Sequence, residues 1–345
     1  MRKSAGVAIA AVLTVGGVAG AAEVKVVPDE ARRRVDVTVD GQPFTAYVWP
    51  DTLKKPVLYP LRTARGTLVT RGFPLEPRPG ERVDHPHHVG LWFNYGDVDG
   101  IDYWNNSDAV KAEDRPHMGS IRHRRIVSAR GGKDRGELVV ESDWVTADGR
   151  TPIREKTRYV FRAGPDWRSV DRITTLTAGD RPVVFNDNKE GVLGLRVARG
   201  LEQPSKTPEV YTDAQGRPTT VPVLNNDGVT GSYLSSEGKK GDDVWGTRGR
   251  WVTLSGTVDG APVTILMLDH PQNPGFPTYW HARGYGLFAA NPLGQKVFSN
   301  GKEELKHTLP AGGTTTFRHR IVIASGALSP EQAEQRYREF TSAAP

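Results

Sequence analysis

Apolar side chains recur at every second position in this chain, in short runs that end at Gly or Asp. Val35, Val37 and Val39 alternate with polar residues, as do Phe44, Ala46 and Val48. The pattern returns through residues 137–145, 154–161, 167–176, 251–258, 263–268 and 314–323. The runs are bounded by turn-forming pairs such as Asp40-Gly41, Asp148-Gly149, Asp259-Gly260 and Gly312-Gly313. Alternation between such turns is the signature of strands and hairpins, and many of them in one chain predict an all-β sandwich or barrel. One helix stands out, at the C-terminus. Ser329-Pro330-Glu331-Gln332 supplies an N-cap, a proline at the first helical position and a capping-box glutamine. Ala333, Tyr337 and Phe340 then share a face, which predicts packing against a sheet edge. Residues 202–248 are polar and irregular and read as an insertion or lid between strands.

The N-terminus has the form of a signal peptide over residues 1–21: Met1-Arg2-Lys3, an apolar stretch from Ala5 to Val18, then Ala19-Gly20-Ala21. That apolar stretch is shorter than the roughly 20 residues needed to span a bilayer. The expectation is a secreted or periplasmic protein with a single domain over 22–345. The chain has no cysteine, so disulfides, thiolate metal sites and a lipoprotein anchor are excluded. The net charge of +6 is spread along the chain, and no nucleic-acid motif accompanies it. The basic clusters Arg32-Arg33-Arg34 and 122–130 read as solvated surface.

Residues able to do chemistry gather in three segments. The densest is Asp84-His85-Pro86-His87-His88-Val89-Gly90-Leu91-Trp92-Phe93-Asn94-Tyr95, running on to Tyr103-Trp104-Asn105-Asn106, and it holds three of the nine histidines. On an extended chain His85 and His87 share one side, a spacing that suits two imidazole ligands of a divalent metal ion, with further ligands from elsewhere. The second segment, Asp269-His270-Pro271 to Tyr279-Trp280-His281, follows an apolar strand. Loops at strand ends are common sites, and imidazoles that titrate at about pH 6.5 serve as acids and bases. The third, Asn186-Asp187-Asn188-Lys189-Glu190-Gly191, leads to Arg196 and sets a carboxylate near a guanidinium. Backbone-bonded histidines, an Asx turn at Asp269 and a surface Lys189–Glu190 pair are the plain alternatives. The chain has no His-Glu-x-x-His, Gly-x-Ser-x-Gly or Walker motif.

These segments, with Leu195-Arg196, Asn291-Pro292 and the closing run 317–323, resemble a family of secreted or periplasmic bacterial proteins labelled "methane oxygenase PmoA". The pattern His-Pro-His-His-x-Gly-Leu-Trp is the most specific part. The membrane subunit of methane monooxygenase is built from transmembrane helices, which this sequence lacks, so methane oxidation is set aside. The resemblance implies a large β-sandwich, a supersandwich akin to galactose mutarotase, whose relatives bind sugars on a concave sheet. Three roles are then open. A carbohydrate-active hydrolase, lyase or epimerase would use His88 or His281 as acid and Glu190 as base. Asp84, Trp92, Asn94, Arg196, His270 and Asn291 would hold its substrate. A metalloprotein would use His85 and His87. A glycan-binding module would present residues 92–104.

Overall fold

Asp40-Gly41 (φ 50° and 75°) and Asp259-Gly260 (φ 50° and 77°) each place two successive residues at positive φ. Such pairs form two-residue hairpin turns whose twist matches the flanking strands. They join Arg34–Val39 to Gln42–Val48, and Trp251–Val258 to Ala261–Asp269. The computed structural model describes residues 22–342, and the signal-peptide segment read at residues 1–21 lies outside them.

The strands form two large antiparallel sheets. The nine-stranded sheet runs in the order Tyr279–Arg283, Leu287–Asn291, Gly191–Arg196, Leu91–Tyr95, Val57–Leu58, Gln42–Val48, Arg34–Val39, Glu23–Asp29, Gly132–Lys133. The eight-stranded sheet runs Ser232–Ser235, Trp251–Val258, Ala261–Asp269, Thr314–Ala324, Trp167–Ala178, Ile153–Ala163, Arg135–Val145, Ser120–Arg130. Val35, Val37 and Val39 are buried while their neighbours are not, as the alternation predicts. One apolar core lies between the sheets, where Phe93 meets Phe317 at 5.4 Å and Phe44 meets Phe161 at 6.2 Å. Burying each such side chain stabilises the fold by about 1.5–3 kcal/mol. An ion pair shares this interior: Arg172 Nη2 donates to Glu155 Oε1 at 2.7 Å, with its guanidinium 5.0 Å from the Phe93 ring. The architecture is a β-sandwich.

The C-terminal helix Pro330–Ser342 forms as its cap predicts, with Ser329 N donating to Gln332 Oε1 at 2.8 Å and Gln332 N to Ser329 Oγ at 3.3 Å. Its apolar stripe covers the outer face of the eight-stranded sheet, on Trp251, Leu266, Leu268 and Val322, rather than an edge. Alternation puts those side chains on the side away from the main core, and without the helix they would face water. A second helix, Gln295–Phe298, makes one turn. The polar stretch 202–248 is not wholly irregular: Ser232–Ser235 within it pairs with Trp251–Val258 and extends that sheet. No helix among the described residues is long and apolar enough to cross a membrane.

Candidate active site

Four neighbouring strands of the nine-stranded sheet align His281, Ala289, Gly194 and Trp92 in one cross-strand row. The next residue along each strand, such as Phe93 or Leu193, enters the main core, so this row lies on the opposite face. Two small residues at its centre leave room above the sheet, and the Trp92 ring takes part of it. A Cβ on Gly194 would lie 2.4 Å from Trp92 Cζ2.

The histidine segment arches over this face. It is a turn, not an extended strand, because His85 is left-handed (φ 41°) and His88 N donates to His85 O at 2.9 Å. The extended backbone expected at His85 and His87 is therefore absent, although the turn keeps their rings neighbours. One left-handed residue breaks the two-residue alternation and turns the rings to 76° from one another, 5.6 Å apart. Two buried cations hold the turn. Arg71 donates from Nη2 to His85 O at 2.9 Å and to His88 O at 3.1 Å, and Lys55 Nζ donates to His87 O at 2.7 Å. Burial pushes Lys55 down to about 7, partly offset by the Asp102 carboxylate.

Asp84 organises the charges. Its Oδ1 accepts from Arg71 Nη1 at 2.5 Å and from Arg196 Nη2 at 2.6 Å, and its Oδ2 accepts from His85 Nδ1 at 2.8 Å. Burial disfavours this carboxylate, but Arg196, His85 and Arg71 outweigh it and hold its carboxyl well below the usual range. Asp84 therefore stays charged and orients His85, whose side chain is 41% exposed and whose Nε2 is free for a reacting group. Left-handed backbone at a non-glycine residue is uncommon and concentrates at functional sites.

A second imidazole is oriented by a backbone carbonyl. His281 Nδ1 donates to Lys189 O at 3.0 Å, which leaves the lone pair on Nε2. Burial, with the charges of Arg283 and Lys189, pushes His281 down to about 3, so it is neutral at pH 7. Glu190 Oε2 lies 3.7 Å from the same Nδ1. Burial raises the Glu190 carboxyl, and Lys189 opposes that rise. His281 stands in the same cross-strand row as Trp92, on which His88 and then His85 are set, so the two imidazole groups belong to one face of the sheet.

The rings around His85 are parallel but offset, with Tyr285 and His88 6.4 Å from one another. Tyr285, His85 and His88 are parallel to within 2–6°, with His85 5.0 Å from Tyr285 and 4.8 Å from His88, and Trp92 follows at 5.1 Å from His88. Arg196 Nη1 faces His88 Nδ1 at 3.5 Å, which places the His88 proton on Nε2. His87 Nε2, His88 Nε2, Trp92 Nε1, Trp104 Nε1 and Asn94 Oδ1 are buried without a hydrogen-bond partner. Buried polar atoms in folded proteins are nearly always partnered, so such a concentration calls for an explanation.

The structure thus brings together Asp84, His85, His87, His88, Trp92, Arg196, Glu190 and His281. His88 is 1% exposed and lies beneath His85, which suits packing better than proton delivery. Asn94 gives Nδ2 to Tyr103 O at 2.6 Å, and Asn291 spends its amide on Asn188 O and Leu293 N, shaping the sheet end. His270 stands elsewhere, at the end of a strand of the other sheet, edge-on to Phe340 of the C-terminal helix at 5.1 Å. No group of three or more His, Cys, Asp or Glu side chains able to hold a metal ion occurs among the described residues. With Nδ1 given to Asp84, His85 and its neighbour His87 offer two ligands without a third.

Residues 34–338 match a family of unknown function, DUF6807. The chain belongs to that family. The match carries no "methane oxygenase PmoA" label. No curated protein matches the chain. Among solved structures, it is similar to a galactose 1-epimerase from Lactobacillus acidophilus NCFM, at 10% identity and a TM-score of 0.37 over 88% of this chain and 98% of that one. It is also similar to a galactose mutarotase-like protein from Clostridium acetobutylicum, at 9% identity and a TM-score of 0.35 over 88% and 99%. A third is a putative aldose 1-epimerase from Escherichia coli K12, at 13% identity and a TM-score of 0.30 over 88% and 99%. Such distant likeness concerns the fold alone.

In this member of DUF6807, sequence reasoning passed over Lys55, Arg71 and Tyr285. Each lies outside the motif-rich segments and reaches the site only through the fold. Arg71 sits in the run Val69-Thr70-Arg71-Gly72, which has no distinguishing composition. Tyr285 stands between two glycines, Gly284-Tyr285-Gly286, with no chemistry-bearing neighbour to mark it.

Proposed function

We propose that this protein is an enzyme that moves protons on a hydroxyl-rich, sugar-like substrate. His85, oriented by Asp84, is one acid–base group, and Glu190 with His281 forms the other. The observation that carries this reading is the Asp84–His85 bond, which fixes one imidazole nitrogen and leaves the other open on the sheet face that also carries His281. A buried carboxylate that orients an imidazole without taking its proton is a recurring acid–base device. Burial raises the Glu190 carboxyl, which favours its protonated form relative to an exposed glutamate and suits an acid–base role. The exposed His85 ring beside Tyr285 suits a ligand with apolar C–H faces. The N-terminal residues support export, so we place the enzyme outside the cytoplasm.

The test is proton exchange and anomer or epimer interconversion, followed by NMR in D2O for a panel of reducing sugars and glycosides. His85→Asn and Glu190→Gln are each expected to slow turnover by about 10²–10⁴-fold. A wild-type protein that changes none of the sugars ends this reading, and so does a His85→Asn protein as fast as wild type.

A further inference from the structure

A cavity of about 440 Å³ adjoins the proton-transfer groups, within the roughly 300–1,000 Å³ range of small-ligand sites. Tyr285 is the shared wall: it lines the cavity and stacks on His85. The facing wall comes from the polar stretch that also supplies Gln203, Lys206, Asp242 and Trp245. Trp245 is 38% exposed, the most exposed of the described tryptophans. Arg283 spans the two aromatic walls, its guanidinium 5.5 Å from the Trp245 ring and 5.9 Å from the Tyr285 ring.

Charge distinguishes this cavity from an ordinary surface cleft. Its other arginine, Arg82, is taken up by Glu202 and Glu209 at 2.8 Å each, and Asp242 accepts from Gln203 Nε2 at 2.8 Å. Arg283 and Lys206 remain as its cations without a carboxylate partner among the described residues. An arginine over a tryptophan is common in itself. Here it lies at a cavity wall, beside a second cation and next to an oriented imidazole. A guanidinium 5.5 and 5.9 Å from two aromatic rings and without a carboxylate partner is available to receive a carboxylate or phosphate through paired hydrogen bonds. An exposed indole face takes the C–H face of a sugar ring, and Gln203 and Asp242 can meet its hydroxyls.

We infer that this cavity is a subsite for an anionic saccharide unit, with the sugar face on Trp245 and the anionic group on Arg283 and Lys206. The inference rests on the acid–base reading of the neighbouring site and extends it: the substrate reaches past Tyr285 and carries a charge. It also links binding to chemistry. After burial, the charge of Arg283 is the largest influence holding His281 down, and a bound anion would relieve it.

The test is calorimetry on the whole protein with D-galacturonate and glucose 6-phosphate, each against its neutral counterpart, and with inorganic phosphate. The acidic sugars are expected to bind about tenfold tighter than the neutral ones or better. A preference for galacturonate identifies a carboxylate as the anionic group, and a preference for the sugar phosphate identifies a phosphate; either supports the subsite. Arg283→Ala is expected to abolish the preference for acid, and Trp245→Ala to weaken acidic and neutral sugars alike. Both residues are exposed, so the fold should survive either change. Three results overturn the subsite: no binding of either acidic sugar, equal affinity for acidic and neutral forms, or inorganic phosphate binding as tightly as the sugar phosphate. His85→Asn is expected to remove turnover and leave these affinities unchanged. If the wild type binds acidic sugars as described but exchanges no proton on any of them, the subsite stands and the acid–base reading falls.

Discussion

Asp84 and His85 are neighbours in the chain whose side chains bond to one another, Nδ1 to Oδ2 at 2.8 Å, while the other oxygen of Asp84 receives two buried guanidiniums. One carboxylate thereby serves both fold and chemistry, and the two roles separate experimentally. Asp84→Asn should lower kcat with little change in KM, because the imidazole loses its orienting charge and no substrate contact is removed. An unchanged kcat, or a rise in KM alone, would show that Asp84 does not act through His85.

Stability should respond to the same residue. Asp84→Ala leaves Arg71 and Arg196, which are 1% and 0% exposed, without their carboxylate. Breaking a buried pair in this way costs roughly 3–5 kcal/mol. Urea denaturation at pH 7 measures it, and a loss below about 1 kcal/mol would contradict the account of a buried charge cluster.

His281 should make the fold acid-sensitive. Its pKa falls from 6.5 to about 3 on folding, chiefly through burial. Between those values the unfolded chain binds a proton that the folded chain refuses, so stability drops as pH falls from 6.5 toward 3. Going from pH 7 to pH 5, wild type should lose about 2 kcal/mol more than His281→Gln. Equal losses in the two proteins would mean that His281 is not held neutral by the fold.

Gly194→Ala tests the packing above the sheet. The added carbon would press on Trp92 and, at 2.9 Å, on Trp104. Overpacking of this kind costs about 1–3 kcal/mol, and the two indoles should report it as a shift in tryptophan emission. An alanine variant with unchanged stability and emission would show that the rings move aside freely.

His270→Ala should weaken the docking of the C-terminal helix through loss of the Phe340 contact, and leave turnover untouched. Loss of turnover with stability intact would return His270 to the active site.

The strands were legible because alternation is a local property. The run read at 137–145 lies within Arg135–Val145, and that at 251–258 coincides with Trp251–Val258. The C-terminal helix was legible because its cap is written in four consecutive residues. Much of the candidate site was visible as composition, since Asp84, His85, Glu190 and His281 stand in unusual segments. Their division of labour was not visible. It depends on His85 turning left-handed, which moved it from ligand to acid–base candidate and left His88 beneath it as packing. It depends also on Arg71 and Arg196, 13 and 112 positions from Asp84, which only the sheet pairing brings to one carboxylate. His270 could not be placed from its loop alone, because the strand it follows, Ala261–Asp269, belongs to the other sheet.

The parallel stack of Tyr285, His85 and His88 has a stereochemical consequence. Offset contacts with Tyr285 and His88, together with the bond from Nδ1 to Asp84, hold the plane of the His85 ring, so any proton leaving His85 Nε2 travels in one fixed direction. A trigonal carbon presented there would be struck from a single side. The handedness of the product would then be decided by which way the stack points, whatever the ring size or substitution of the molecule that enters.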